Sequence, residues 1–360
     1  MAQAPTFGQL ANDGVAGPLV CEFIVEPFFS GKRIDTFLRK HLRNYSPFRL
    51  QRMIKAGCVT VNDVPTETSY RVRPNEVIRI RLVSPPDRVA VPQPLPLEVL
   101  YEDPWLIAVN KPPGQIAHPG GDYMGQTLLN AIQFHLDQQT PLPGLIRPGI
   151  VHRIDRQTSG VMIVPKHHLP HRKLTYQFMR GEISKTYIAI VRGCLPEDTG
   201  MIDLPIGVIP NPRCTLSCAK PIAVNAKSAQ TQFRVLERFS DYTLVEARPL
   251  TGRHHQIRIH FAEIGYPLLA DEFYDRFGEI KDGTPLELPA AGVPSESPRE
   301  VTLPSDERRP PFYDPDLPLR RHALHAASIQ LDHPIMQMPI AFEAPLPDDI
   351  QQTLTQLRNE

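Results

Sequence analysis

The sequence has few cysteines for its 360 residues, and they follow no regular spacing. The five thiols are at Cys21, Cys58, Cys194, Cys214 and Cys218. An odd, sparse set excludes a disulfide framework and is typical of a reducing compartment. Cys214 and Cys218 lie four residues apart with no second pair, so two ordinary thiols are favoured over a structural zinc site. We therefore expect no metal.

Long hydrophobic runs are also missing, because no segment approaches the length of a membrane-spanning helix. The first residues lack the basic and apolar segments of a signal peptide. These features predict a cytoplasmic protein without a membrane partner. The length predicts two or three domains. The formal net charge is zero, but a zero sum can conceal separate basic and acidic segments, and this sequence contains both.

Residues 30–83 predict a small basic domain of two helices followed by short strands. Ile34, Phe37 and Leu38 recur at helical spacing, and Ser46-Pro47 supplies a cap and a first-turn proline for a second helix. Between residues 31 and 83, twelve basic residues face four acidic ones, an excess of eight positive charges. An excess of this size on a small domain favours binding to nucleic acid over a merely solvated surface.

Arg49, Arg52 and Lys55 lie three residues apart and form one stripe on the second predicted helix. Such a stripe can neutralise backbone phosphates, and we predict these three residues as RNA-binding. The segments 33–38, 46–49 and 54–62 resemble the RNA-binding domain shared with ribosomal protein S4. Asp63 and the pair Asn75-Glu76 depart from it at turns where that domain has glycine, which puts the shape of those turns in question.

The remaining segments differ in composition. Residues 1–29 predict a flexible tail with a possible strand, and residues 84–96 predict a proline-rich linker. Residues 97–347 predict the larger domain, in which strands outnumber helices, so an α+β fold with a mainly antiparallel mixed sheet is expected. Residues 275–318 predict an acidic, proline-rich insertion within it. Residues 348–360 predict a closing helix.

Several catalytic templates are absent. The chain has no phosphate-cradling glycine loop, no nucleophile elbow and no metalloprotease histidine pair. What remains is Asp155, which lies between Arg153 and Arg156. A neighbouring guanidinium favours the ionised carboxylate, which can act as a nucleophile or a base. An isolated Asp–Arg pair in a loop is nevertheless more often structural than catalytic.

Five motifs in chain order change that interpretation. The motifs are Asn110–Gly114 with His118-Pro119, His152–Gly160, Lys185–Tyr187 with Val191–Gly193, Thr251–His260, and Leu324–Ala326 with His333-Pro334. Together they resemble the RluA family of pseudouridine synthases over residues 97–345. A basic RNA-binding domain in front is the arrangement of the family members that act on ribosomal RNA.

The resemblance implies a role for each matching residue. Asp155 corresponds to the aspartate that attacks during isomerisation, and Arg258 to the arginine that pairs with it. Tyr187 corresponds to the tyrosine that stacks on the flipped uracil. Arg153 corresponds to the arginine that enters the RNA helix as the base leaves, and Ile257 lies beside Arg258 as a pocket residue.

Other readings of these residues stay open. A tyrosine in a strand such as Tyr187 is by default a packing residue. Lys185 is either a phosphate contact or a solvated charge, and we favour the phosphate contact. His152, His254, His255 and His260 resemble a metal cluster, although spare histidines on a helix are commoner. Ala270 replaces the family's usual glycine before Asp271.

We therefore expect a monomeric RNA pseudouridine synthase that isomerises uridines in large-subunit ribosomal RNA. A transfer RNA substrate is the first alternative, and a non-catalytic ribosome-assembly factor on the same fold is the second. The reaction keeps every atom of the substrate, so no cofactor is expected. The base must leave the stack, which costs a few kcal/mol, and an aromatic platform returns about 1–3 kcal/mol of that cost.

Overall fold

The computed structural model describes residues 6–12, 15–82, 91–120, 125–140, 143–210, 216–276, 314 and 316–360. No helix within these ranges is long and apolar enough to cross a membrane. The N-terminal elements are β1 (Thr6–Asn12), β2 (Val15–Ile24), a short 3-10 helix (Pro27–Phe29), α1 (Ile34–His41), α2 (Pro47–Lys55), β3 (Val59–Val61), β4 (Val64–Pro65) and β5 (Val77–Leu82).

The N-terminal domain packs its two helices on a five-stranded sheet of order β1-β2-β5-β3-β4. Helix α2 begins where the sequence predicts, because the Ser46 hydroxyl accepts a hydrogen bond from the Arg49 amide at 3.4 Å and Pro47 follows directly. Leu50 and Ile54 on its inner face are buried. Asp63 and Asn75 adopt the left-handed conformation, so they make the turns at which glycine was expected.

The segment 1–29, predicted as a flexible tail with a possible strand, contains β1 and the ten-residue strand β2. Strand β2 pairs antiparallel with β5 from Leu19↔Leu82 to Ile24↔Val77, and the Cys21 side chain is fully buried. This strand therefore belongs to the core of the N-terminal domain. Residues 84–90 of the predicted linker lie outside the described residues. In the described part of the linker, the Gln93 amide donates a hydrogen bond to the Asn130 carbonyl, and the Gln93 side chain accepts one from the Gln126 amide.

The larger domain is built on one long sheet. Its elements are β6 (Glu98–Glu102), β7 (Leu106–Lys111), α3 (Leu128–Asp137), β8 (Ser159–Pro165), α4 (His168–Arg180), β9 (Ser184–Arg192), β10 (Thr199–Asp203), β11 (Ile206–Val208), β12 (Ser217–Cys218), β13 (Val224–Lys227), β14 (Gln230–Arg238), β15 (Tyr242–Pro249), α5 (Gln256–Glu263), β16 (Leu324–Asp332), β17 (Pro339–Glu343) and α6 (Asp348–Leu357).

The long sheet has the order β10-β14-β15-β9-β16-β8-β7-β6, with β17 on β16, and β11–β13 form a separate three-stranded sheet. Strands β8 and β16 are parallel, and the other pairs are antiparallel. This arrangement confirms the predicted α+β class. The predicted acidic insertion falls largely on residues 277–313, outside the described residues, and α6 lies within the segment predicted as a closing helix.

Central strand β8 fixes the position of the loop before it. Every residue of β8 is buried. A Cβ atom at Gly160 would lie 2.2 Å from the carbonyl oxygen of Ala326, and the φ angle of Gly160 is +115°. Only glycine allows β8 and β16 to approach this closely. The segment 152–158 therefore enters the sheet at a defined point.

The two domains contact each other directly. The Asn44 side chain donates a hydrogen bond to the Gly144 carbonyl at 2.6 Å. The Phe29 ring stacks on the His168 ring with 5.2 Å between centroids. Leu145 of the larger domain is buried in the hydrophobic core of the N-terminal domain. These contacts set the helices of the N-terminal domain beside the segment that leads into β8.

Candidate active site

The Asp155 loop is tied to the end of β7 by a buried lysine. Lys111 is fully buried, and its ammonium donates hydrogen bonds to the carbonyls of Pro112, Gln115 and Arg156 at 2.8, 2.9 and 3.0 Å. Burial lowers the pKa of this ammonium to about 7. The Arg156 carbonyl also accepts from the Gly114 amide at 2.9 Å. The loop is thus anchored one residue beyond Asp155.

A chain of charges runs from Asp271 through Arg258 to Asp155. The Arg258 Nε and Nη2 donate to the two carboxylate oxygens of Asp271 at 2.7 and 2.8 Å. The third nitrogen, Nη1, donates to Asp155 Oδ2 at 3.4 Å. Arg258 is 1% and Asp271 0% exposed. Two bonds hold the guanidinium in one plane, and this plane presents Nη1 to Asp155.

Sequence reasoning missed the role of Asp271. Its Oδ1 also accepts from the amides of Phe273 and Tyr274 at 2.9 and 3.1 Å. Ala270 adopts a φ of +54°, a region that favours the glycine expected from the resemblance. An acidic residue directly after the apolar run 266–270 was the available signal, since a carboxylate entering a core requires a charged partner.

The charges around Asp155 keep it ionised. Burial raises the pKa of the Asp155 carboxyl, but the electrostatic effects of the neighbouring His255 and Arg258 outweigh burial and lower the pKa below its ordinary value. Burial lowers the pKa of His255 to about 3, so this ring is neutral near pH 7. Burial also disfavours the charge of Arg258, yet Asp271 more than reverses this and raises the Arg258 pKa. Arg258 is therefore the permanent cation beside Asp155.

Tyr187 lies in β9 between two small neighbours. It is paired with Ala247 of β15 and Ala326 of β16, so neighbouring side chains on the sheet leave room beside its ring. Burial and the charge of Asp155 raise the pKa of its phenol, which keeps it neutral. The ring packs between two hydrophobic clusters of the larger domain. A neutral aromatic face near a fixed carboxylate can support a planar base.

An open cleft of about 970 Å³ brings six of the predicted residues together. They are Arg153, Asp155, Lys185, Tyr187, Ile257 and Arg258. Arg153 is exposed at the rim, whereas Ile257 is 5% exposed and packs mainly in the core. The Lys185 ammonium donates to the Thr251 carbonyl at 3.4 Å, and burial lowers the Lys185 pKa.

The other three predicted residues lie outside this cleft, on α2 of the N-terminal domain. Arg52 and Lys55 are exposed and Arg49 is half-buried. The Arg52 guanidinium lies 5.9 Å from the centroid of the Phe48 ring, which is 68% exposed. This helix therefore offers both positive charge and an aromatic face to solvent.

Two groups of side chains in the described ranges have ligand atoms close enough for a metal ion. Asp155, His254 and His255 form one group, and Glu26, His41 and His168 form the other, each with ligand atoms within 4.8 Å of one another. In the cleft, Asp155 Oδ2 lies 3.8 Å from His255 Nε2 and 3.4 Å from Arg258 Nη1. A fixed guanidinium at that distance opposes a second cation.

Comparisons with known proteins find related families in both domains. The RNA pseudouridylate synthase family matches residues 105–263, and the S4 domain family matches residues 32–78. An uncharacterized RNA pseudouridine synthase of Bacillus subtilis, YlyB, is 33% identical over 91% of this chain and 94% of its own length. The ribosomal large subunit pseudouridine synthase D of Neisseria meningitidis serogroup A is 34% identical over 92% and 80%.

A solved structure, human RNA pseudouridylate synthase domain containing 4, covers 72% of this chain and 93% of its own length, with a TM-score of 0.51 and 22% identity. That likeness shows a shared fold over most of the chain. The relatives from Bacillus subtilis and Neisseria meningitidis show the family, because the identity extends across both domains. The chain therefore belongs to the RluA-type RNA pseudouridine synthases and is an RNA-modifying isomerase with an N-terminal S4 domain.

Proposed function

We propose that the chain converts uridine to pseudouridine in large-subunit ribosomal RNA, with Asp155 as its single catalytic carboxylate. The observation that carries this proposal is the chain Asp271–Arg258–Asp155 at the cleft that also contains Tyr187. The relative from Neisseria meningitidis is named for the ribosomal large subunit. The basic α2 of the S4 domain supports a large structured RNA as substrate. A cytoplasmic monomer without metal or cofactor is part of the same proposal.

The reaction places definite demands on the site. The bond between uracil N1 and ribose C1′ breaks, the base turns, and a bond from C5 to C1′ forms. C5 loses a proton and N1 gains one, so the atoms balance within the substrate. Asp155 supplies an ionised carboxylate at the reacting centre, and Arg258 keeps it ionised and oriented. The geometry is compatible with attack on the sugar, addition to the base or removal of a ribose proton.

The remaining cleft residues hold the flipped nucleotide. Tyr187 stacks on the uracil, which offsets part of the unstacking cost. Arg153, exposed at the rim, fills the space that the base leaves in the RNA helix. Lys185 contacts a phosphate, and Ile257 closes an apolar side of the pocket. Arg49, Arg52 and Lys55 contact the RNA backbone away from the cleft.

Pseudouridine mapping of total RNA from cells with and without the protein tests this function. We expect signals at defined uridines of large-subunit ribosomal RNA to disappear when the protein is absent. Loss confined to transfer RNA would assign the first alternative substrate. No change in any RNA, with ribosome assembly impaired, would contradict catalysis and favour the assembly factor.

A further inference from the structure

A second cavity of about 470 Å³ lies beside the active-site cleft, between the two domains. Arg43 of the N-terminal domain and Arg147 of the larger domain both line it. His118 and His171 line it as well. None of its twelve lining residues, all in the described ranges, is acidic. With Arg153 at the wall nearest the cleft, the cavity therefore carries three positive charges and no matching negative charge.

The two arginines are held close together. The Arg147 Nη1 donates to the Arg43 carbonyl at 2.9 Å. A Cβ atom at Gly149 would lie 3.3 Å from Arg43 Nη1 and 2.5 Å from the His171 ring, so glycine there makes room for both side chains. Burial lowers the pKa of Arg43, and burial together with Arg43 lowers the pKa of Arg147. Half-buried guanidiniums that repel each other favour an anion between them.

Nearby carboxylates are used elsewhere. Within the described part of the chain, no acidic side chain forms an ion pair with Arg43 or Arg147. Glu26 faces His41 at 3.4 Å and His168 at 3.9 Å. Asp137 lies behind the lining residue Gln133, and its Oδ1 accepts hydrogen bonds from Gln133 Nε2 and the Gly144 amide at 2.8 and 2.6 Å. The His118 Nδ1 atom is buried without a hydrogen-bond partner in the described ranges.

The cavity and the active-site cleft share one wall. Val151, His152 and Arg153 line both, and three residues span at most about 11 Å. Asp155 follows two residues after Arg153. An RNA strand that passes through the cavity therefore reaches the cleft within a few nucleotides. On the other side, Arg43 lies in the connection between α1 and α2, next to the basic stripe of α2.

We propose that this interdomain cavity binds the phosphodiester backbone of the substrate RNA next to the target uridine, with Arg43 and Arg147 as phosphate ligands. The inference rests on RNA being the substrate and deepens the proposed function. Planar guanidinium groups suit phosphate oxygens. Because one ligand comes from each domain, the bound backbone couples the position of the S4 domain to the base that enters the cleft.

The test measures binding of a fluorescein-labelled RNA stem-loop at several KCl concentrations. Arg43→Gln is the clean variant, because the bond from Arg147 goes to the backbone carbonyl of residue 43 and survives the change. We expect a loss of affinity of about ten-fold or more. The salt slope, which is the slope of the logarithm of the binding constant against the logarithm of the KCl concentration, should be smaller in magnitude by about 0.7–0.9. Arg43→Gln with Arg147→Gln should lower the slope by about twice that amount, and lysine at both positions should restore it.

Arg358→Gln is the matched control, since Arg358 is an exposed arginine paired with Glu237 far along the chain. It should leave affinity and slope unchanged. Unchanged slopes in both the single and double glutamine variants, with the fold intact by circular dichroism, would overturn the proposal. Inorganic phosphate at matched ionic strength should compete no better than KCl. Stronger competition that disappears in the double variant would instead assign a site for free phosphate.

The readout also separates this inference from the proposed function. Binding of the stem-loop does not depend on turnover, so it can succeed or fail whether or not ribosomal RNA is the substrate. In single-turnover assays on the mapped substrate, Arg43→Gln should raise the enzyme concentration for half-saturation and leave the rate at saturation within about two-fold. A large fall in the saturating rate with unchanged half-saturation would contradict a role in RNA binding.

Discussion

Replacement of Asp271 by asparagine removes the charge that holds Arg258, while the side chain keeps its size. Both partners are almost fully buried, and two short hydrogen bonds join them. Breaking a buried pair by neutralising one partner typically costs about 3–5 kcal/mol, because the other charge stays in the core. We therefore expect Asp271→Asn to lower the free energy of unfolding by about that amount.

The same change should also slow catalysis. Arg258 would turn toward Asp155, its remaining carboxylate, and a tighter ion pair would hold the reacting oxygen. We expect the single-turnover rate to fall by about 10- to 100-fold, on the order of 1.4–2.7 kcal/mol in activation free energy. RNA affinity should not change, because Asp271 is fully buried and cannot touch the substrate. Urea unfolding and rapid-quench pseudouridine assays measure the two effects.

Glu237→Gln is the matched control for the stability effect. Glu237 forms a comparable fork with the guanidinium of Arg358, whose Nε donates to Oε1 at 3.2 Å and whose Nη2 donates to Oε2 at 2.7 Å, but the pair lies at the solvent-exposed surface. Exposed ion pairs contribute about 0–1 kcal/mol to the free energy of unfolding. Equal losses of stability in Asp271→Asn and Glu237→Gln, or a wild-type rate in Asp271→Asn, would refute the reasoning from burial.

Three further predictions concern stacking, RNA binding and pH. Tyr187→Phe should keep most of kcat/KM, whereas Tyr187→Ala should lower it by about 5- to 150-fold, the value of one base stack; equal losses would exclude stacking. Arg49→Ala with Arg52→Ala should reduce the salt slope of RNA binding by about 1–2; an unchanged slope would show a solvated helix face. The folded pKa values of Asp155 and Asp271 lie below their ordinary value. Their stabilisation is therefore complete above about pH 4 and is lost as the pH falls through the unfolded pKa toward the folded values. Acid unfolding followed by circular dichroism should show a smaller loss for Asp271→Asn, and an unchanged acid transition would contradict this assignment.

Local sequence signals were sufficient to predict several secondary-structure elements. The start of α2 follows from Ser46 and Pro47, because capping and a fixed proline φ depend on neighbouring residues alone. The membership of β2 in the N-terminal sheet could not be predicted in this way. Its partner β5 begins more than fifty residues later, at Val77, and a strand containing Gly17 and Pro18 has a weak local preference.

In the candidate site, too, some residues could be predicted from the sequence and others could not. The resemblance of five motifs identified Asp155 and Arg258, which are 103 residues apart and which no local pattern connects. Asp271 was missed because its importance comes from the burial of Arg258, and burial depends on packing. The proximity of Arg43 to Arg147 could not be predicted from the sequence either, because it arises only where the two domains meet.

The measurement that tests the central claim most directly is turnover by purified Asp155→Asn on the RNA in which mapping locates the modification. The asparagine keeps the shape of the side chain and removes the charge beside Arg258. We predict no detectable pseudouridine, with thermal stability and RNA affinity close to those of the unaltered protein. Turnover near the unaltered rate would contradict the assignment of Asp155 as the catalytic carboxylate.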